Sequence, residues 1–206
     1  MKSIQQRNIL IVCALGQELQ IVKSSLKGHV FQWIKFHYHS CGLWLEKSMI
    51  NLTQFLSKSD IVFDLVINMW LAWYARLIWS DISLQWTLVQ SLRIIQWDVK
   101  KELCVPPQYI IDSIPIVALT SRYRVVRERS QLDHFLQYDD VIAVDMEWYS
   151  IEYVCDMFRY PRLFLKILYD EIWVKDITKI NPDDMINTMK HTLEVLPEIL
   201  QNLFYK

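Results

Sequence analysis

Short apolar runs recur along this chain, separated by stretches of helical length, and this alternation constrains the fold more than any other feature. Each run has the length of one buried strand, and each intervening stretch suits one helix. Chains with this alternation form a mixed, mostly parallel central sheet with helices on both faces, a three-layer α/β/α sandwich. The predicted strands are Ile9–Leu15, Val30–Tyr38, Val62–Ile67, Ile82–Val89, Ile114–Leu119, Ile142–Val144 and Leu163–Leu168. The predicted helices are Glu18–Leu26, Lys47–Ser57, Arg127–Gln137, Glu147–Phe158 and Asp183–Phe204, the last with a kink at Pro197.

Length and composition predict one domain over residues 1–206. A chain of 206 residues buries a sizeable core, and its hydrophobic share of 52% with a charged share of 22% is typical of a globular protein. The net charge of −1 gives no general attraction to nucleic acid or to an anionic membrane surface. Neither is therefore expected as a partner.

The segment from Ile61 to Trp79 is the one stretch apolar enough to suggest a membrane span. Asp64, Asn68 and Arg76 interrupt it, and the part between them is short for crossing a bilayer. A core strand followed by a loop suits it better. Since the start of the chain also lacks a small-residue cleavage pattern, a cytoplasmic location is expected.

The cysteines and histidines predict neither a metal site nor a cofactor. His37 and His39 share one strand face, but no carboxylate or cysteine lies at ligand spacing from them, so a partly exposed strand face is the favoured interpretation. The cysteines lie far apart with no paired spacing, at Cys13, Cys41, Cys104 and Cys155. The first and last of these fall inside apolar runs and are expected to be buried thiols.

Three carboxylates follow predicted strands at their carboxyl ends. These are Glu18, Glu147 and Asp170. The carboxyl ends of strands in open α/β sheets are where ligands bind, so the three side chains are expected to converge on one cleft. Each also has a structural explanation, because an acidic residue is favourable at the start of a helix and an Asp can cap a turn.

The segment from Val141 to Glu171 resembles the nucleoside phosphorylase and nucleosidase family. In that family a strand runs into a V-D/E-M-E turn whose carboxylate holds the ribose hydroxyls, and the turn Asp145, Met146 and Glu147 matches it. The family's next strand ends in a Ser-Asp pair whose Asp protonates the purine. Here Tyr169 and Asp170 stand in that place, so the Asp matches and the Ser does not.

Upstream segments extend the resemblance, and within the family the pattern most resembles that of the methylthioadenosine/S-adenosylhomocysteine nucleosidases. Glu18 matches the glutamate that activates water, and Cys41 with Gly42 matches the Ser-Gly-Ile-Gly segment, although Trp44 replaces its second glycine. After the central strand the family has a glycine-rich turn, whereas this chain has Met69, Trp70, Leu71, Ala72, Trp73 and Tyr74. The whole chain holds three glycines, so a phosphate-cradling loop is missing and phosphorolysis is not expected.

The resemblance implies hydrolysis of the N-ribosidic bond of a purine nucleoside or thionucleoside, without phosphate or cofactor. Asp170 would protonate the base, Glu18 would activate water, and Glu147 with Met146 would bind the ribose. In the blocked alternative, Trp70, Trp73 and Tyr74 fill the nucleoside pocket.

A second function remains open at this stage: a catalytically silent relative that binds or assembles through an exposed aromatic surface formed by Trp70, Trp73, Tyr74 and Trp79. Such a surface would serve a partner or a second copy of the chain, which leaves a homodimer open.

Overall fold

The computed structural model describes residues 6–76, 84–96, 101–104, 109–121, 129–131, 141–171 and 182–205. The strands are β1 Arg7–Cys13, β2 Ile34–Ser40, β3 Leu65–Arg76, β4 Leu88–Gln96, β5 Lys101–Cys104, β6 Ile116–Ser121, β7 Val141–Asp145 and β8 Arg162–Glu171. The helices are α1 Gly16–Leu26, α2 Leu45–Lys58, α3 Trp148–Phe158, α4 Pro182–Thr192 and α5 Leu196–Phe204, with single 3₁₀ turns at Arg129–Gln131 and Leu193–Val195.

All eight described strands belong to one sheet, as the apolar runs predicted. Parallel pairs join β1 to β2 and β3, β3 to β8, and β6 to β4 and β7. Antiparallel pairs join β3 to β7, and β4 to β5 and β8. The sheet is therefore mixed, and the expected parallel character is only partial.

The sheet closes on itself, which corrects the expectation of an open three-layer sandwich. Strands β3, β7, β6, β4 and β8 form a complete ring because β8 pairs with both β3 and β4. The length of β3, twelve residues, makes the closure feasible: one side pairs with β8, while the other pairs first with β1 and then with β7. The strand twist needed for such closure is a general property of sheets.

Alternate side chains of β1 feed two separate hydrophobic clusters, as expected for a strand buried on both faces. Ile9 and Ile11 pack with residues of α1, α4 and α5. Leu10 and Val12 pack with residues of α2 and α3. Helices thus cover both faces of the β1 region, which is the part of the prediction that the structure confirms.

Several element boundaries differ from the sequence-based expectation. The strand β3 continues through Arg76, so the segment expected to form a loop after Ile67 is extended chain. Aromatic residues favour strands, whereas the glycine-rich turn that they replace would not. The predicted strand Ile82–Val89 begins only at Leu88, with a turn before it.

The C-terminal helix is interrupted as Pro197 suggested, since a 3₁₀ turn precedes the proline and a new helix starts at Leu196. The predicted helix Arg127–Gln137 lies mostly outside the described residues, which include only a 3₁₀ turn from it. Within the described part of the chain, no helix has the length and apolar character that a membrane crossing requires.

Candidate functional site

Two strand ends meet beside the middle of β3, and this meeting point builds the site. The strand β1 runs parallel to β3 and its pairing ends at Asn68. The strand β7 runs antiparallel to β3 and its pairing begins at Trp73. The carboxyl ends of β1 and β7 therefore face each other across Met69–Ala72. Because α1 follows β1 and α3 follows β7, Glu18 and Glu147 are brought to the same place.

Glu147 is the N-cap residue of α3, directly before the first helical residue. Its carboxyl oxygen Oε1 accepts a hydrogen bond from the backbone N–H of Trp44 at 3.2 Å, and the residue is 3% exposed. Burial raises the pKa of Glu147 to about 7, and the charge of Asp145 adds to this, while the Trp44 N–H and Lys166 act in the opposite direction. A group with this pKa changes its charge within the physiological range.

Glu18 lies in the first turn of α1 and is 5% exposed. Its Oε2 has no hydrogen-bond partner among the described residues. Burial raises the pKa of Glu18 to about 10, and the neighbouring Glu147 carboxyl contributes to the rise. The carboxyl group is therefore protonated at neutral pH, and Glu18 and Glu147 lie close enough for their charges to interact.

A buried ion pair between Asp145 and Lys166 lies beneath these two carboxyls. Lys166 Nζ is 2.6 Å from Asp145 Oδ2, and both side chains are 1% exposed. The other oxygen of Asp145 accepts hydrogen bonds from Ser121 Oγ at 2.7 Å and from the N–H groups of Glu147 and Trp148, each at 3.2 Å. Lys166 was not predicted as a site residue. A single lysine inside the apolar run of β8 does, however, indicate a buried charge that needs a partner.

The turn after β2 holds the backbone donor for Glu147 in an unusual conformation. Trp44 has φ 77° and ψ 149°, a region that is essentially restricted to glycine. Its carbonyl accepts hydrogen bonds from the backbone N–H and from Oγ of Ser48, at 3.0 and 2.8 Å. A non-glycine residue thus holds a glycine-like backbone conformation here, and Trp44 is about half exposed, at 47%.

Asp170 lies within β8 rather than after its end. Leu168 pairs with Ala72 and Glu171 pairs with Tyr74, so Tyr169 and Asp170 together oppose the single residue Trp73. Such a β-bulge can redirect a side chain and is frequent beside active sites. The Asp170 side chain lies outside the described part of the structure, and its place in the cleft stays a prediction. Tyr169 is buried and packs edge-on against Trp86, with ring centroids 4.9 Å apart.

The residues that replace the glycine-rich turn do not form the exposed aromatic surface considered above. Tyr74 is 2% exposed and belongs to the core beside α2 and α3. Trp70 and Trp73 are partly buried, and Trp73 Nε1 has no partner among the described residues. Adjacent residues of an extended strand point to opposite faces of the sheet, so Trp73 and Tyr74 cannot share one face. Trp79 lies outside the described residues, and Met146 is buried between Asp145 and Glu147.

The closed mixed sheet of this chain, with helices on both faces of its β1 region, has the fold seen in solved nucleosidases. No protein-family model matches the chain, and no curated protein matches its sequence. Solved structures that match over nearly the whole chain include 5′-methylthioadenosine/S-adenosylhomocysteine nucleosidases. The resemblance stated from the sequence is confirmed at the level of the fold.

Three solved nucleosidases illustrate the match. The Neisseria meningitidis enzyme in complex with methylthio-immucillin-A has a TM-score of 0.75 at 13% identity, covering 96% of this chain and 100% of that chain. A Borrelia burgdorferi B31 protein described as a putative nucleosidase and bound to adenine also has a TM-score of 0.75, at 14% identity, with 94% and 99% covered. A Chlamydia trachomatis structure has a TM-score of 0.64 at 20% identity, with 97% and 98% covered.

Proposed function

We propose that this protein hydrolyses the N-ribosidic bond of a purine nucleoside or thionucleoside, of the methylthioadenosine or adenosylhomocysteine type, without phosphate. The observation that supports this most is the meeting of the buried Glu18 and Glu147 carboxyls at the facing ends of β1 and β7. Two coupled, buried acids with strongly raised pKa values at strand ends are typical of a catalytic site. The matching fold supplies the choice of reaction.

Glu147 is proposed to bind the ribose hydroxyls. Its Oε1 already accepts one backbone hydrogen bond, from Trp44, and an ionised carboxylate can accept further hydrogen bonds from hydroxyl groups. With a pKa of about 7 the carboxylate form predominates only above neutral pH in the ligand-free protein. Hydroxyl donors favour the charged form and would lower this value on binding.

Glu18 is proposed to take the proton of the attacking water. Its pKa of about 10 means that the ligand-free protein holds a proton there at neutral pH. Cleavage of an N-ribosidic bond passes through a ribosyl group with cationic character, and a nearby positive charge favours the ionised carboxylate. Glu18 would therefore release its own proton to solvent as positive charge develops on the ribosyl group, and the resulting carboxylate would accept the proton of the attacking water. Asp170 is proposed to give the proton that the leaving purine requires.

The decisive experiment is adenine release from methylthioadenosine and adenosylhomocysteine by the purified protein, followed by chromatography with and without phosphate. We expect free adenine and free ribosyl product in both conditions. Glu18→Gln, Glu147→Gln and Asp170→Asn should each lower kcat/KM by about 100-fold or more. Glu198→Gln, which changes an exposed glutamate on α5, is the matched control.

Two outcomes would contradict the proposal. A dependence on phosphate would point to phosphorolysis, and an absence of release from a wide panel of nucleosides would favour the catalytically silent relative.

A further inference from the structure

Lys166 occupies a costly position for a cation. It lies in the middle of β8, paired with Trp70 of β3 on one side and with Val89 of β4 on the other. At 1% exposure it is the one fully buried cation among the residues that the structure describes. Removing an ammonium group from water costs several kcal/mol unless a partner charge and hydrogen bonds compensate. The partner charge here is that of Asp145, at 2.6 Å from Lys166 Nζ.

The partner of Lys166 is connected directly to the proposed ribose-binding residue. Asp145 binds Lys166 through Oδ2 and the N–H groups of Glu147 and Trp148 through Oδ1. The two N–H groups belong to the start of α3, where backbone donors lack intrahelical partners. Ser121 Oγ completes the environment of Asp145 and in turn accepts the N–H of Tyr149 at 3.2 Å. Lys166 thus acts on Glu147 through one intermediate residue.

We propose, on the basis of the function proposed above, that Lys166 is a positioning residue for the nucleosidase reaction. Its ion pair with Asp145 fixes the backbone of Glu147 at the start of α3. The same cation balances one negative charge of the carboxyl cluster and so favours the carboxylate form of Glu147, which accepts the Trp44 N–H.

The groups that surround Glu147 give this role an electrostatic signature. Asp145 faces it from β7, Lys166 from β8 and Glu18 from α1, while the thiol of Cys41 faces it from the turn after β2. Cys13, at the end of β1, adjoins Glu18 and Cys41. The charge of Asp145 raises the pKa of Glu147 and the charge of Lys166 lowers it. Removing each partner in turn should therefore move this pKa in opposite directions.

The test compares Lys166→Met, Lys166→Arg, Asp145→Asn and the double variant Asp145→Asn with Lys166→Met. The pH dependence of adenine release gives the midpoint of the acidic limb, which reports the ionisation of Glu147. Lys166→Met should raise this midpoint by about one pH unit and Asp145→Asn should lower it by a similar amount. Lys166→Arg, which keeps the charge, should leave the midpoint in place. Lys166→Met should also lower kcat/KM by about 100-fold because Glu147 loses its alignment.

A second readout needs no activity. In each background, the free energy of unfolding is compared with that of the matching Glu147→Gln variant as a function of pH. The folded-state pKa of Glu147 is raised from 4.5 to about 7. The stability that Glu147 provides is therefore fully present below the lower value and is lost as the pH rises through the upper one. Lys166→Met should raise the upper pH at which this stability is lost, and Asp145→Asn should lower it.

The outcomes separate the positioning role from the proposed function. In one outcome no nucleoside is hydrolysed, but the pH at which the stability from Glu147 is lost moves in opposite directions in the two variants. The proposed function then fails and the coupling of Lys166 to Glu147 stands. If Lys166→Met and Asp145→Asn lower stability without moving either midpoint, Lys166 is merely structural and the proposal is wrong. If Lys166→Met does not fold, the neutral double variant is compared with Asp145→Asn alone, and equal midpoints overturn the proposal.

Discussion

Replacing Glu18 with glutamine should stabilise the protein, and by an amount that grows with pH. The carboxyl group is almost fully buried, and its pKa is raised from 4.5 to about 10. Between these two values the folded protein holds a proton that the unfolded chain releases. Stability provided by Glu18 is thus complete below the lower value and is lost as the pH rises towards the upper one. Glutamine, which resembles the protonated acid in shape and does not titrate, removes this loss.

The magnitude follows from the linkage relation. Between pH 4.5 and about 10, each pH unit lowers the free energy of unfolding of the native protein by about 1.4 kcal/mol. Compared with the native protein, Glu18→Gln should therefore gain about 1 kcal/mol near pH 5 and about 3 kcal/mol near pH 7. For a chain of this size the second value corresponds to a rise in melting temperature of about 10 °C. The gain accompanies a loss of activity if Glu18 is the base, because catalytic groups are often kept at the expense of stability.

Urea unfolding at constant ionic strength across this pH range would measure the difference directly. Glu198→Gln, at an exposed position, supplies the control and should show almost no pH-dependent difference. A difference for Glu18→Gln that stays constant with pH would refute the reasoning, since it would mean that Glu18 ionises in the folded protein as it does in the unfolded chain.

Two further predictions concern positions with unusual backbone or hydrogen-bonding demands. At Trp44, where the backbone is in a region essentially restricted to glycine, Trp44→Ala should be less stable to urea than Trp44→Gly by about 1–3 kcal/mol. The same pair of changes at Leu43, a non-glycine residue without positive φ, should show the opposite order. Gln90 is fully buried, donates through Nε2 to the carbonyls of Ile111 and Ile114 at 2.6 and 2.7 Å, and accepts the N–H of Ile111 at 3.0 Å. Gln90→Leu should lower the free energy of unfolding by about 3 kcal/mol, whereas Gln20→Leu on an exposed face of α1 should change it little, and equal effects would contradict this assignment.

The sequence predicted most of the strands, and the positions of Glu18 and Glu147 after two of them, because both depend on local patterns. Apolar runs of strand length identify buried strands whatever their partners are. The positions of Glu18 and Glu147 after such runs place them at strand ends. The direction in which the strands pair is a long-range property, however, and the antiparallel approach of β7 to β3 has no local signal. The head-on meeting of β1 and β7 could therefore be read only from the structure.

Lys166 and Trp44 show two different reasons why residues of the site were missed or incompletely understood. A lysine within an apolar strand is an isolated deviation until its partner is known, and Asp145 lies 21 positions away in the sequence. At Trp44 the resemblance identified a lost glycine. It did not predict that Trp44 would adopt a glycine-like backbone conformation and donate its N–H to Glu147. Chain conformations that conflict with residue preference are concentrated at functional sites, where other contacts enforce them.

The conformation of β3 bears directly on the choice between hydrolysis and phosphorolysis. A glycine-rich turn can direct several consecutive N–H groups at one anion, because its dihedral angles curl the backbone around the ligand. Met69–Ala72 instead continues the strand, in unbroken register with β8. In extended chain, successive N–H groups point to opposite sides, and those on one side are about 7 Å apart. They cannot converge on a phosphate of ordinary size. The segment that borders the meeting point of β1 and β7 thus offers no such group of N–H donors to an anion, and this agrees with the proposal of a reaction that needs no bound phosphate.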